Sequence, residues 1–159
     1  MARLAFGGSV PSPATPPAVP IVRVETDEQI LATAGVMRQL RPHLPEGGGY
    51  LATIRALMAG DGYRMAAVLE DGVVRAVAGY RAHGTLYAGR VLMLDDLVSD
   101  EDERSRGHGS ALLAWLRDEG RALGCAELQL LSRTVRARAH RFYFREGMEI
   151  QCFHFRAEL

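Results

Sequence analysis

The chain has no lysine: all 19 of its basic residues are arginine, set against 19 acidic ones. Balanced charge gives no general attraction to nucleic acid or to an anionic membrane, so neither is expected as a partner. Cysteine is scarce, with only Cys125 and Cys152. Both lie in apolar, strand-like segments of the kind where free buried thiols are common. That argues against a disulfide framework and for a reducing, cytoplasmic setting. No apolar run approaches the roughly 18 residues of a spanning helix. Two phosphate motifs are missing as well. A P-loop needs a lysine, and the three glycines of G-x-G-x-x-G are not met, because only Gly107 and Gly109 stand in place. No cluster of Cys, His and acidic residues has ligand spacing, so no metal is expected.

What is present reads as one domain of ordinary soluble composition, 159 residues long with 48% apolar and 24% charged residues. Residues 1–20 hold five of the seven prolines and read as an Ala/Pro-rich flexible tail without a core of its own. Residues 21–159 form the domain. Ile21–Val24 is a short strand, and Thr26-Asp27-Glu28-Gln29 is a capping box opening a helix with Ile30, Leu31, Ala34 and Met37 on one face. Pro42 and Pro45 end it. A second helix carries Tyr50, Leu51, Ile54, Leu57 and Met58 and stops at Gly60-Asp61-Gly62. Asp71-Gly72 separates two strand-like runs, Tyr63–Glu70 and Val73–His83, as a hairpin. Gly84 and Gly89 bracket a loop before a strand at Arg90–Val98. A helix from Gly107 turns Leu112, Leu113, Leu116 and Leu123 to the sheet and stops at Gly124. Cys125–Leu131 follows as a strand, parallel to Arg90–Val98 by the right-handed crossover rule. A helix over Arg136–Met148 and a strand over Ile150–Leu159, with Phe153 and Phe155 on one face, close an α/β chain.

The chemistry concentrates between Asp95 and Leu113. Gly107 and Gly109 let backbone approach a ligand, and the helix start beyond them offers unpaired N–H donors with partial positive charge. Together they make an anion seat, flanked by Arg104 and Arg106. Just upstream, strict alternation points Met93 and Asp95 one way, Leu94 and Asp96 the other. Two adjacent carboxylates cannot both enter a core cheaply, so at least one faces a wet cleft.

Arg104-x-x-Gly107-x-Gly109 resembles the acyl-CoA pyrophosphate loop of the GCN5-related N-acetyltransferases. Ala139, Phe142, Tyr143 and Gly147 resemble the second signature of that family, with Met148 where a phenylalanine is usual. An asparagine usual at the start of that helix is replaced by Arg136. The resemblance spans residues 21–159 and implies a single α/β domain, with a mixed, mostly antiparallel sheet of about six or seven strands flanked by helices. It implies acetyl-CoA as co-substrate and a small-molecule or peptide primary amine as acceptor. Asp95, or else Asp96, would take the amine proton, Leu97 and Val98 N–H groups would polarise the thioester, and Tyr143 would protonate the departing thiolate. Arg104, Ser105, Arg106, Gly107, His108, Gly109 and Ser110 would hold the pyrophosphate, with Ser132 and Arg136 as further cofactor contacts. The first two helices would wall the acceptor cleft, making Arg38, Arg41, His43 and Tyr50 substrate contacts or plain surface. The acidic run from Asp95 to Glu103 favours a cationic amine, and a homodimer is a candidate assembly because similar enzymes dimerise. The rival reading is a non-catalytic acyl-CoA-binding module of the same fold. Lacking lysine, the chain has no lysine of its own to acetylate.

Overall fold

Local signals set the element boundaries in the computed structural model, which describes residues 20–159. β1 (Ile21–Val24) leads into α1 (Asp27–Leu40). The Thr26 hydroxyl accepts the Gln29 amide at 3.2 Å, and the Gln29 side chain accepts the Thr26 amide at 3.0 Å. That reciprocal pair satisfies two of the donors a helix start leaves unpaired. α2 (Gly47–Asp61) follows the proline-containing connection, and β2 (Arg64–Glu70) turns at Asp71-Gly72 into β3 (Val73–Thr85). β4 (Gly89–Ser99) precedes a single 3₁₀ turn, Glu101–Glu103, and then α3 (His108–Ala122). β5 (Glu127–Leu130) and α4 (Ala137–Arg145) complete the order.

The strands lie in the sequence β1-β2-β3-β4-β5. The first four are antiparallel neighbours, and β5 runs parallel to β4 because α3 carries the chain back across the sheet. Alternate residues feed two cores. Met65, Ala67 and Val77 meet Ile30, Met37, Tyr50 and Ile54 from α1 and α2. Ala66, Val68 and Ala78 meet Leu112, Leu113 and Leu116 from α3. Each fully buried leucine of α3 contributes about 1.5–3 kcal/mol.

Several expectations change. The described residues hold five strands, not six or seven. Ile150–Leu159 has the period-two pattern of a strand but pairs with nothing among the described residues, leaving Phe153 and Phe155 exposed. A strand needs a ladder partner as well as a pattern. Cys152 is exposed in that segment and Cys125 is half-buried; both are free thiols. β3 continues through Gly84 to Thr85, pairing with β4 where a loop was expected. Tyr50 is neither surface nor substrate contact: it is fully buried, its hydroxyl 2.8 Å from Thr33 Oγ1. Residues 1–19 of the expected tail lie outside the described residues. No helix among the described residues is long and apolar enough to cross a membrane.

Candidate active site

β4 pairs with β5 only from Val91 to Leu94, against Glu127 to Leu130. Beyond Leu94 the two strands part, so the β5-facing edge of β4 from Asp95 onward has no ladder partner. A cavity of about 80 Å³ opens in this fork, lined by Leu94, Asp95 and Leu97 of β4, Leu130 and Leu131 after β5, and Tyr143 of α4. Leu40 and Arg41 at the end of α1 close one side, Arg133 and Arg136 another.

A β-bulge sits at the mouth of the fork. Gly79 pairs with Asp96 and Tyr80 with Leu94, so Asp95 is the extra residue. The bulge resets the alternation: Leu94 and Leu97 both pack toward α3, whereas Val98 packs into the α1–α2 core. The expected opposition of Met93 and Asp95 to Leu94 and Asp96 therefore fails at this point. Asp96 turns to the α1–α2 side and accepts hydrogen bonds from Tyr63 Oη and Arg41 Nε, both at 2.8 Å. Asp95 accepts two from Arg81, at 2.7 and 2.8 Å, and still lines the cavity.

Three residues that the sequence did not single out hold this geometry. A Cβ on Gly79 would stand 1.7 Å from the Tyr63 hydroxyl, so only glycine lets the Tyr63 ring cross β3 to reach Asp96. Burial, then the Asp96 charge, push the Tyr63 pKa far above the usual tyrosine value, and the phenol stays a donor. Arg81 neutralises Asp95. Arg41, foreseen only as a surface or substrate contact, bridges the Asp96 carboxylate and the Asp95 carbonyl, the latter at 3.2 Å. The one available signal was a glycine inside a strand pattern, which marks a close approach or a bulge nearby.

Tyr143 is half-buried, and desolvation raises its pKa against an opposing pull from the Arg136 charge. Its hydroxyl is therefore protonated at neutral pH. Phe142, beside it, packs on the α3 core.

The glycine loop lies at the start of α3. Gly107, with φ of 87°, is the N-cap in a backbone conformation that side chains resist. Ala111 is bonded to the Gly107 carbonyl, so the amides of His108, Gly109 and Ser110 are the unpaired donors of the helix start. Ser105 also has positive φ, and Arg106 is bound by Glu103 and, at 3.5 Å, by Glu70. Arg104 is exposed. The His108 ring is buried, with Nε2 3.9 Å from the Glu70 carboxylate. A Cβ on Gly109 would touch Ser99 and Phe142, which places the loop against β4 and α4. Ser110 donates to Glu146 at 2.6 Å, tying α3 to the end of α4. The buried Ser132 hydroxyl has no hydrogen-bond partner among the described residues. The fork thus gathers Asp95, Leu97, Arg136 and Tyr143. Asp96 and Val98 face the other core, and the Arg104–Ser110 loop forms a separate seat beside the same groove.

An α/β sheet with a forked parallel pair, a glycine loop at one end and a tyrosine in the fork defines an acyltransferase of the coenzyme A-dependent kind. The acetyltransferase (GNAT) family model matches residues 37–148, and the chain belongs to that family. It is 32% identical over 122 residues, 76% of this chain and 85% of the relative, to the uncharacterized N-acetyltransferase YhdJ of Bacillus subtilis. Over 63 residues, 39% of this chain and 40% of the other, it is 44% identical to the aminoalkylphosphonate N-acetyltransferase of Salmonella typhimurium. Its fold matches that of the aminoglycoside N-acetyltransferase AAC(6')-Iy in complex with CoA, with a TM-score of 0.74 and 18% identity over 91% of this chain and 99% of that one. The protein is an N-acetyltransferase with acetyl-CoA as its co-substrate.

Proposed function

We propose that the chain acetylates a small primary amine by direct attack within a ternary complex of enzyme, acetyl-CoA and acceptor. The observation that carries this is the fork: an unpaired β4 edge, a carboxylate and a protonated tyrosine around one cavity. Acetyl-CoA lies with its pyrophosphate on Arg104–Ser110, where helix-start amides and arginine charge meet. Its pantetheine arm runs past Ser132 into the fork, and the thioester oxygen takes an N–H bond from Leu97 on the open edge. The Val98 amide, expected to join it, faces β3 instead, as the Asp100 amide two residues on does in donating to the Arg75 carbonyl at 2.8 Å. Donors aimed at a developing oxyanion are worth about 3 kcal/mol in comparable acyl transfers.

The amine nitrogen attacks the thioester carbon. A C–N bond forms, the C–S bond breaks, and sulfur leaves with the electron pair. Asp95 takes the surplus proton of the amine, after its pair with Arg81 loosens; Asp96, held by Tyr63 and Arg41, is the second choice for that step. Tyr143 delivers a proton to the thiolate. Two free thiols suit a reducing cytoplasm. The relatives named for aminoalkylphosphonates and aminoglycosides support a small amine as acceptor.

Tyr143→Phe tests the reading. Turnover should fall about a hundredfold or more while acetyl-CoA affinity by calorimetry stays nearly the same. Unchanged turnover would remove Tyr143 from the mechanism, and failure of acetyl-CoA to bind the native chain would leave no acetyltransferase reading.

A further inference from the structure

Four of the six carboxylates in the acidic run that favoured a cationic acceptor are held by internal partners, and the other two, Glu101 and Asp102, are exposed on the 3₁₀ turn and do not line the cavity. Asp95 is held by Arg81, Asp96 by Arg41 and Tyr63, Asp100 by Gln39 and Arg75, and Glu103 by Arg75 and Arg106. Charge at the cavity follows from subtraction. Arg41 cancels against Asp96 and Asp95 against Arg81, and no other carboxylate lines the fork. Arg133 and Arg136 remain, both exposed and without a carboxylate partner among the described residues. The cavity therefore presents two uncompensated positive charges beside Tyr143.

These charges lie outside the helix-start seat assigned to the pyrophosphate of the cofactor. The pyrophosphate seat is the α3 start, against Ser99 and Phe142, whereas Arg133 and Arg136 line the fork that takes the thioester. The full pantetheine arm separates those two ends of acetyl-CoA. An anion that reaches Arg133 and Arg136 comes instead with the other substrate.

We infer that the acceptor is a primary amine carrying its own anionic group, a carboxylate, sulfonate or phosphonate, which Arg133 and Arg136 seat while the nitrogen meets Asp95 and the thioester. Arginine suits this task because its planar fork of donors matches such groups at two points. The inference rests on the acetyltransferase reading above and sharpens its acceptor class.

Thiol release from acetyl-CoA is measured with β-alanine, taurine and aminoethylphosphonate against propylamine, ethanolamine and putrescine. Native protein is compared with Arg133→Gln and Arg136→Gln, and calorimetry follows acetyl-CoA binding to each. Anionic amines should exceed the uncharged and cationic ones in kcat/KM by about tenfold or more. Each variant should erase most of that preference through the acceptor KM, with acetyl-CoA affinity within about twofold of native. Three results overturn the inference and leave the acetyltransferase reading standing. They are a preference for putrescine or propylamine, a loss of acetyl-CoA affinity in the variants that marks the cofactor phosphates as their anion, and an equal fall in kcat on every amine. Acetyl-CoA binding without turnover of any anionic amine also overturns it. No acetyl-CoA binding to the native chain removes the acetyltransferase reading itself, and the inference with it.

Discussion

α1 and α4 are both amphipathic helices laid on the same sheet, yet they are held in different ways. α1 buries Ile30, Thr33, Val36 and Met37 and begins with a closed capping box. α4 buries none of its residues completely and has no side-chain cap. Phe142 is its main apolar anchor, and its end is strapped by Ser110 to the Glu146 carboxylate and by Arg117 to the Glu146 carbonyl. The residues after α4 are exposed throughout from Glu149 to Leu159. The proposed general acid stands on the loosely held helix, and the carboxylates stand on the rigid strand opposite. A fork between two strands needs this division. In the proposed mechanism one side fixes the geometry of the thioester, while the other lets a long, thin cofactor enter between β4 and β5.

Substitutions on the two sides should separate that division by size of effect. Leu112→Ala removes a fully buried side chain from the core under α3 and should cost about 2–5 kcal/mol. Phe144→Ala on α4, where the ring is 52% exposed, should stay within about 0.5 kcal/mol. Equal losses in urea unfolding would show α4 to be packed as tightly as the rest. Gly79→Ala comes next. Its new methyl meets the Tyr63 hydroxyl, so the expected cost is about 1–3 kcal/mol of overpacking. Turnover should fall with it, since Asp96 loses its partner and the bulge its register. Native stability together with native turnover would show that the bulge holds without Tyr63.

The smallest effect concerns pH. The Glu119 carboxylate, buried on α3, has its pKa held below the ordinary 4.5 by hydrogen bonds first from Arg23 and then from Tyr80. A lowered folded pKa contributes stability above the ordinary value, and that contribution is lost as pH falls through the folded one. Arg23 is half exposed, which keeps the effect modest. Acidification below about pH 4.5 should therefore lower the melting temperature of native protein more than that of Glu119→Gln. Parallel curves would show that the pair contributes nothing on folding.

Much of this division was legible in the chain itself. The capping box at Thr26, the Asp71-Gly72 turn, the leucines of α3 and the glycine loop each act through neighbours a few residues away, and sequence spacing specifies such neighbours directly. The parallel pairing of β4 with β5 follows from chirality once α3 is recognised. The failures are all long-range. The closing strand had its alternating pattern but no edge that takes it up among the described residues. Tyr50 reads as a polar-tipped surface aromatic until Thr33, 17 residues away, is brought to its hydroxyl.

The sequence by itself determined most of the elements, from β1 through α4, and their order. It did so because helix periods, caps, turns and crossover handedness are local properties of the backbone. Tertiary structure alone decided what Asp95 and Asp96 face. A single extra residue in β4 shifts the phase of every side chain after it, and the partners that then arrive, Tyr63, Arg41 and Arg81, come from three separate stretches of the chain.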